Sequence, residues 1–394
     1  MVVFIYDFLL AIMLYVLYKS GKEIAKTGKI WSSSGFAAIL IYTLNEGLRY
    51  GRGVDYNLYG QSYERLAIGI ENNWPTIYSF IAHFFIELGI PWQGMVMFMS
   101  FLFILGTLFM LKEYKEILPI ALPIFALVSA SDVENLLRWF TGFSFIMIGI
   151  YFLIRGNNSI KKYFLFCLLA CCFHLALAPI PIAIFLIYKF KKPILNPFFS
   201  LSIFFIIALS FQTEFMMRFA DLANTLTTIS ERFEAYSYRM DYWLTSGNDG
   251  IEKSALPDLQ SLFFYIVTVI LGYLVVKRTG DRYVFFYNLF LIGFLVYPIS
   301  RQIELVYRFG AVFLFFRAVV VAIIIKYVYI LKHIKLVPIA AVVSLLLIIN
   351  IGRRSFTNPL NYPERYLYVW DSEGRTYDSM LNMWVDSTHD QYGN

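Results

Sequence analysis

Residues Trp92–Leu111 read WQGMVMFMSFLFILGTLFML, a run of 20 residues without a charge, followed at once by Lys112, Glu113, Tyr114 and Lys115. An α-helix rises 1.5 Å per residue, so this run is about 30 Å long, the thickness of the hydrocarbon core of a bilayer. A helix on the surface of a soluble domain buries one stripe and keeps a polar face. This run has no polar face and reads as a membrane span. The lysines that close it set its direction, because Lys collects in cytoplasmic loops.

Outward from this run the same pattern repeats. Candidate spans fall at about 2–18, 30–48, 92–111, 117–130, 139–154, 163–177, 178–188, 197–212, 258–276, 283–299, 309–326 and 336–351. The composition agrees. The 394 residues are 59% hydrophobic, 19% aromatic and only 15% charged, with mean hydropathy +0.63, where a soluble chain is about a quarter charged. The expectation is an all-α polytopic membrane protein, with one transmembrane domain of about 12 helices over 1–351 and a tail over 352–394. The first run continues into Lys19, Lys22, Lys26 and Lys29, which suits a retained span rather than a cleaved leader. Cys167, Cys171 and Cys172 lie inside one apolar run and read as small buried hydrophobes.

Lysine position gives the topology. Of 16 lysines, 15 fall in six clusters (19–29, 112–115, 161–162, 189–192, 277 and 326–335), with Lys253 outside them. Placing every cluster in the cytoplasm turns the N-terminus, 49–91, 131–138, the turn near 174–181, 213–257, 300–308 and the tail outward. The net charge of +6 is then an orientation signal and not a nucleic-acid surface. Residues 75–90 (PTIYSFIAHFFIELGI) are apolar enough to span, but a crossing there would invert the lysine pattern after it. They are expected as a re-entrant or interfacial helix covered by protein, because bare backbone is too costly in lipid. The long loops 49–91 and 213–257 are rich in Tyr, Phe and Trp, which argues for ordered roofs over a cavity.

Arginine follows a different rule. Of 17 arginines only Arg155, Arg278 and Arg282 lie in the lysine-rich loops, Arg317 lies inside a span, and the other 13 fall on the outward side. A guanidinium offers a planar fork matched to phosphate oxygens. The densest polar segment is Asn45–Tyr59, NEGLRYGRGVDYNLY, with Arg49, Arg52 and Asp55. An Asp there can orient the arginines or take a proton. A second segment, Ser131–Thr141 (SDVENLLRWFT), carries Arg138. Its Glu134 suits a capping box, and Asp132 with Glu134 makes only a weak metal motif. His174 sits in an apolar stretch before Pro179 and Pro181, either as hydrogen-bonded structure or as a proton-transfer group. Arg232, Tyr236 and Arg239 lie in the large loop at helical spacing. Arg301 and Arg308 are seven apart and, on one helix, would share a face.

Several short motifs together resemble the EpsG family of bacterial exopolysaccharide proteins, within the Wzy-type polysaccharide polymerases. They are Leu48-Arg49-Tyr50, Arg52-Gly53-Val54-Asp55-Tyr56 with Tyr59, Leu137-Arg138 opening a span, Phe173-His174 closing one, and Tyr307-Arg308-Phe309. Family members usually read Gly-Thr-Asp-Tyr where this chain has Gly53-Val54-Asp55-Tyr56. The resemblance implies a GT-C-like helical bundle with large extracytoplasmic loops in a bacterial inner membrane. Its substrate would be oligosaccharide repeat units on undecaprenyl pyrophosphate, joined with release of the polyprenyl pyrophosphate. Membrane lipid is a further partner, with a chain-length regulator and a flippase as possible ones, and no cofactor, metal or nucleic acid is implied. On this reading Arg49, Arg52, Arg138, Arg301 and Arg308 hold the pyrophosphate. Asp55 or His174 is the base, Arg138 acts at the reacting centre, and Tyr56, Tyr59, Arg232, Tyr236, Arg239 and Tyr307 contact substrate. The rivals are an oligosaccharide ligase, a lipid-linked oligosaccharide flippase or transporter, and a non-catalytic assembly partner. Charge concentrated on one face, without a clear internal repeat, counts against transport.

Overall fold

The computed structural model describes residues 2–52, 56–70, 76–156, 159–210, 256–301, 304–334, 337–356, 366–371, 375–378 and 383–386. Among these residues the protein is all-helical apart from two four-residue strands in the tail, Arg375–Asp378 and Met383–Asp386, which pair antiparallel. Fifteen α-helices are described. They are α1 (Val2–Thr27), α2 (Ser33–Gly47), α3 (Tyr56–Ala67), α4 (Thr76–Glu87), α5 (Trp92–Met110), α6 (Leu118–Asn135), α7 (Leu137–Arg155) and α8 (Ile160–Phe173). Then follow α9 (Pro179–Tyr188), α10 (Pro197–Ser210), α11 (Leu259–Thr279), α12 (Val284–Ser300), α13 (Glu304–Phe315), α14 (Arg317–Tyr327) and α15 (Val337–Ser355).

Among the described residues five stretches are long and apolar enough to cross a membrane: Phe4–Thr27, Trp92–Met110, Leu137–Arg155, Leu259–Ser300 and Val306–Leu331. The fourth holds two helices, α11 and α12, joined by a single turn at Gly280–Tyr283. Large apolar side chains such as Phe4 and Phe8 on α1, Leu168 on α8, and Phe198 and Leu209 on α10 stand exposed, the pattern of helices that face lipid rather than water. At 12 residues, α4 is about 18 Å long, too short to cross a 30 Å core alone.

The chain divides into two compact units, Met1–Leu186 with Ser344–Asn394, and Ile187–Val343. In the first, α1 packs on α2 and α6, α2 on α5, α5 on α7, and α7 on α8. Small residues let these backbones approach closely. A Cβ on Gly106 of α5 would lie 2.7 Å from the Ser144 carbonyl oxygen of α7, as expected where membrane helices pack through small residues. Gly106→Val is therefore expected to lower thermal stability in detergent by about 1–3 kcal/mol or more. Gly352→Ala, a substitution into open space, should leave the melting temperature almost unchanged. In the second unit, α12 packs on α10 and α13, and α11 on α14.

In the first unit the lysines gather at one end of the helices, and Arg49, Arg52 and Arg138 at the other. The far end of α1 carries Lys26, and Gly28 next to it lies 3.5 Å from the Lys115 Nζ when given a Cβ. Lys112 and Arg155 both lie over the Tyr151 ring at that end. The near end of α1 carries Tyr6, which meets Arg52. In the second unit, Arg278 bonds the Ile330 carbonyl, and Arg301 stands at the other end of α12.

Candidate active site

The site is built where α2 ends, α6 gives way to α7, and α1 begins. Leu48 closes α2 by donating its N–H to the Leu44 carbonyl, and Gly51 adopts φ +66°, a left-handed conformation that favours glycine. The turn brings Arg49 and Arg52 back over the end of their own helix. Arg49 donates from Nη1 to the Glu46 carbonyl at 2.6 Å. Its side chain is fully buried, and among the described residues its Nε and Nη2 have no hydrogen-bond partner. Gln93, near the start of α5, fixes the backbone beneath it, donating to the Gly47 carbonyl and, at 3.0 Å, to that of Arg49, while accepting from Tyr56 Oη at 2.7 Å.

Arg52 is buried beside it. It pairs with Glu134 (Nη1 to Oε1 3.1 Å) and donates from Nη2 to the Asn45 carbonyl at 3.2 Å. Its two aromatic neighbours are Tyr6, 5.2 Å from the guanidinium carbon, and Tyr368, 4.9 Å away. Asn45 links the cluster by donating to Glu46 Oε1 at 3.0 Å and accepting from Tyr368 Oη at 2.8 Å. Burial pushes the Glu134 carboxyl above the ordinary carboxylate range, against the opposing pull of Arg52. Glu134 lies beyond the apolar run of α6.

The Tyr368 contact comes from the C-terminal tail. The Tyr50 N–H donates to the Leu367 carbonyl and the Val369 N–H to the Leu48 carbonyl, both at 3.0 Å, so 367–369 lie as a strap along 48–50. Tyr366, Leu367 and Tyr368 are buried, and Tyr366 packs on Tyr6 at 4.9 Å. Burying Leu367 alone contributes about 1.5–3 kcal/mol, against about 1 kcal/mol for each backbone bond, so side chains hold the strap.

Arg138, at the start of α7, joins an aromatic shelf. It donates from Nε to Tyr59 Oη at 3.3 Å and lies over the Tyr59 and Tyr78 rings at 5.1 and 5.7 Å. Tyr56, Tyr59 and Tyr63 of α3 surround Trp92, with centroids 5.8–6.4 Å away. Since Tyr56 also bonds Gln93, which holds the Arg49 backbone, one line of contacts runs from Arg49 to Arg138.

The structure thus brings together Arg49, Arg52, Tyr56, Tyr59 and Arg138. His174 ends α8 in extended backbone and packs edge-on against Trp139, the neighbour of Arg138, with centroids 5.0 Å apart. Asp55, Arg232, Tyr236 and Arg239 lie outside the described residues. Arg301, Tyr307 and Arg308 belong to the second unit. Arg301 caps α12 and lies 5.9 Å from the Tyr297 ring, Tyr307 is exposed, and Arg308 is part-buried on α13. The expected common helix for Arg301 and Arg308 is corrected. The chain reverses between α12 and α13, where a Cβ on Gly293 would meet Phe313 and one on Gly310 would meet Ser300, so helical spacing does not put the two arginines on one face.

Sequence reasoning missed Glu134 as an arginine partner, Gln93 as a backbone clamp, and Tyr6 and Tyr368. The visible signal was Asn45-Glu46 at the end of an apolar run. Among the described residues no group of three or more His, Cys, Asp or Glu side chains is placed to hold a metal ion.

These features define an all-α polytopic membrane protein with a buried arginine–glutamate cluster at one end of its helices. The chain belongs to the EpsG family, which matches residues 34–359 and whose members are Wzy-type polysaccharide polymerases. Membership supports a polysaccharide polymerase role of the glycosyltransferase kind. No curated protein and no solved structure matches the chain.

Proposed function

We propose that the protein joins oligosaccharide repeat units carried on undecaprenyl pyrophosphate, on the extracytoplasmic face of a bacterial inner membrane. The observation that carries this reading is Arg49, a buried guanidinium whose Nε–Nη2 edge has no partner among the described residues. A buried donor left unsatisfied costs free energy and calls for a ligand or a functional role. That edge is the one a guanidinium uses to grip a phosphate with two parallel bonds.

In the reaction, the hydroxyl oxygen of the incoming unit bonds the anomeric carbon of the growing chain. The bond from that carbon to the diphosphate oxygen breaks, and the lipid diphosphate leaves with the electron pair. Guanidiniums already in place stabilise the charge that builds on the leaving group without reorganising. The acceptor proton goes to a base. Glu134 suits that role beside Arg52, with His174 and Asp55 as the other candidates. The ring shelf around Trp92 offers faces for sugars. Arg301, Arg308, Arg232, Tyr236, Arg239 and Tyr307 are proposed as further substrate contacts. A GT-C-like ancestry and recruitment of a chain-length regulator and a flippase belong to the same proposal.

Purified protein given a lipid-linked repeat unit should yield a ladder of longer glycans, with or without a chelator. Arg138→Ala and Arg308→Ala should each cut the ladder at least about tenfold, and full activity in both would remove these residues from the site. A single addition in place of a ladder would identify a ligase. Passage of labelled substrate across liposomes without covalent change would identify a flippase.

A further inference from the structure

We infer that Tyr368, carried by the C-terminal strap, is a positioning residue that orients the Arg52 guanidinium for the lipid diphosphate, an inference that rests on the function proposed above. The family match ends at residue 359, so the strap lies beyond the matched segment, yet it reaches the arginine–glutamate cluster of the first unit.

Tyr368 makes two kinds of contact with the Arg52 surroundings. Its ring lies 4.9 Å from the guanidinium carbon, and the Tyr6 ring lies 5.2 Å from the same carbon. Its hydroxyl donates to Asn45 Oδ1 at 2.8 Å, and the Asn45 backbone carbonyl in turn accepts from Arg52 Nη2. Rings attract a guanidinium through their π-faces, while its N–H groups bond other groups in the plane of the fork. Two in-plane positions are taken by Glu134 and the Asn45 carbonyl. Nε is buried and has no partner among the described residues. The ring contacts and the hydroxyl bond therefore hold Arg52 in place and leave its Nε–H, without a partner among the described residues, open to an anion.

The strap is built to hold this ring in place. Its backbone is zipped to Leu48 and Tyr50 on either side of Arg49. The Tyr368 N–H is held by Asp371 Oδ2 at 3.0 Å, and Trp370 stacks on the Tyr368 ring at 4.8 Å. A strap serving only to cover the bundle end would not need its ring registered on a guanidinium and its hydroxyl on the residue that receives that guanidinium's bond.

The test uses the full chain in lipid nanodiscs, titrated with undecaprenyl diphosphate carrying no sugar. Tyr368→Leu should weaken binding about tenfold, the order of a lost desolvated cation–π contact. Tyr368→Phe and Tyr368→Trp, which keep an aromatic face, should stay within about threefold of the natural protein. Because Tyr368 acts through Arg52, Tyr368→Leu should cost nothing further in an Arg52→Ala background. Equal losses in both backgrounds would reduce Tyr368 to general packing and overturn the inference. So would full binding by Tyr368→Leu. If Tyr368→Leu does not fold, Tyr368→Met, which also removes the ring, takes its place in both backgrounds and is read by the same outcomes. Failure of the natural protein to bind the probe sinks the diphosphate reading and this inference with it. Binding that is lost in Arg52→Ala but kept in Tyr368→Leu sinks the inference alone.

Discussion

Arg49→Met is expected to reduce polymer formation by about 10²–10³-fold while the protein melts at the same temperature or higher. The two halves of this expectation come from one observation. Arg49 is fully buried, its Nη1 bonds a backbone carbonyl, and its Nε and Nη2 have no partner among the described residues. A buried charge that is only partly satisfied costs the resting fold free energy, and replacing buried charges by apolar groups of similar volume is often neutral or stabilising. Methionine fills a similar space without the unsatisfied donors. If Arg49 were structural, its removal should lower the melting temperature and lower activity only through the loss of folded protein. If it is kept for a substrate anion, stability and activity should move apart, the trade-off expected of a site held at some cost to the fold. Thermal unfolding in detergent and the glycan ladder, measured on the same preparation, separate the two. Loss of stability in proportion to activity would remove Arg49 from the proposed chemistry.

Arg52 does not offer the same separation. Its charge is matched by Glu134, so removing it strands a buried carboxylate, and breaking such a pair costs about 3–5 kcal/mol. The two arginines are only three residues apart, but among the described residues one forms an ion pair and the other does not.

That difference marks what the sequence could and could not show. Uncharged runs with basic ends are legible because they need no knowledge of tertiary contacts. The expected span 92–111 coincides with helix Trp92–Met110, 139–154 with Leu137–Arg155, and 283–299 with Val284–Ser300. The first helix runs past the expected end at 18 to Thr27, because the helical backbone carries on after the apolar run stops and its lysines reach into the polar zone. Convergence of Arg49, Arg52 and Arg138 on one end of the first unit follows from helix ends and needs only the alternation of spans. The rest of the site depends on pairings without local trace. Glu134 reads equally well as a helix cap or an arginine partner. Tyr368 bonds Asn45 across 323 residues of chain, and no periodicity foretells which tail residue returns to the bundle.

Glu134→Gln is expected to remove the acidic limb of the pH–rate profile and to lower the plateau rate by about 10²–10⁴-fold, the range for loss of a general base. The sign follows from the environment of the carboxyl. Burial raises its pKa above the ordinary carboxylate value even though Arg52 favours the charged form. A base works when ionised, so the natural protein should lose activity as pH falls through the raised value, before an exposed carboxylate would protonate. Glutamine keeps the size and an oxygen acceptor for Arg52 Nη1 but cannot take the proton of the acceptor hydroxyl. Its remaining activity should therefore be flat across the range where the natural protein titrates. The pairing with Arg52 ties this limb to substrate binding. A diphosphate that engages Arg52 draws part of the guanidinium's interaction away from Glu134 and leaves the carboxyl a stronger base when the acceptor arrives. On that account the limb measured at saturating substrate lies at higher pH than the limb in the free protein. A Glu134→Gln variant with an unaltered profile would leave the proton to His174 or Asp55, and His174→Gln and Asp55→Asn profiles would then decide between them.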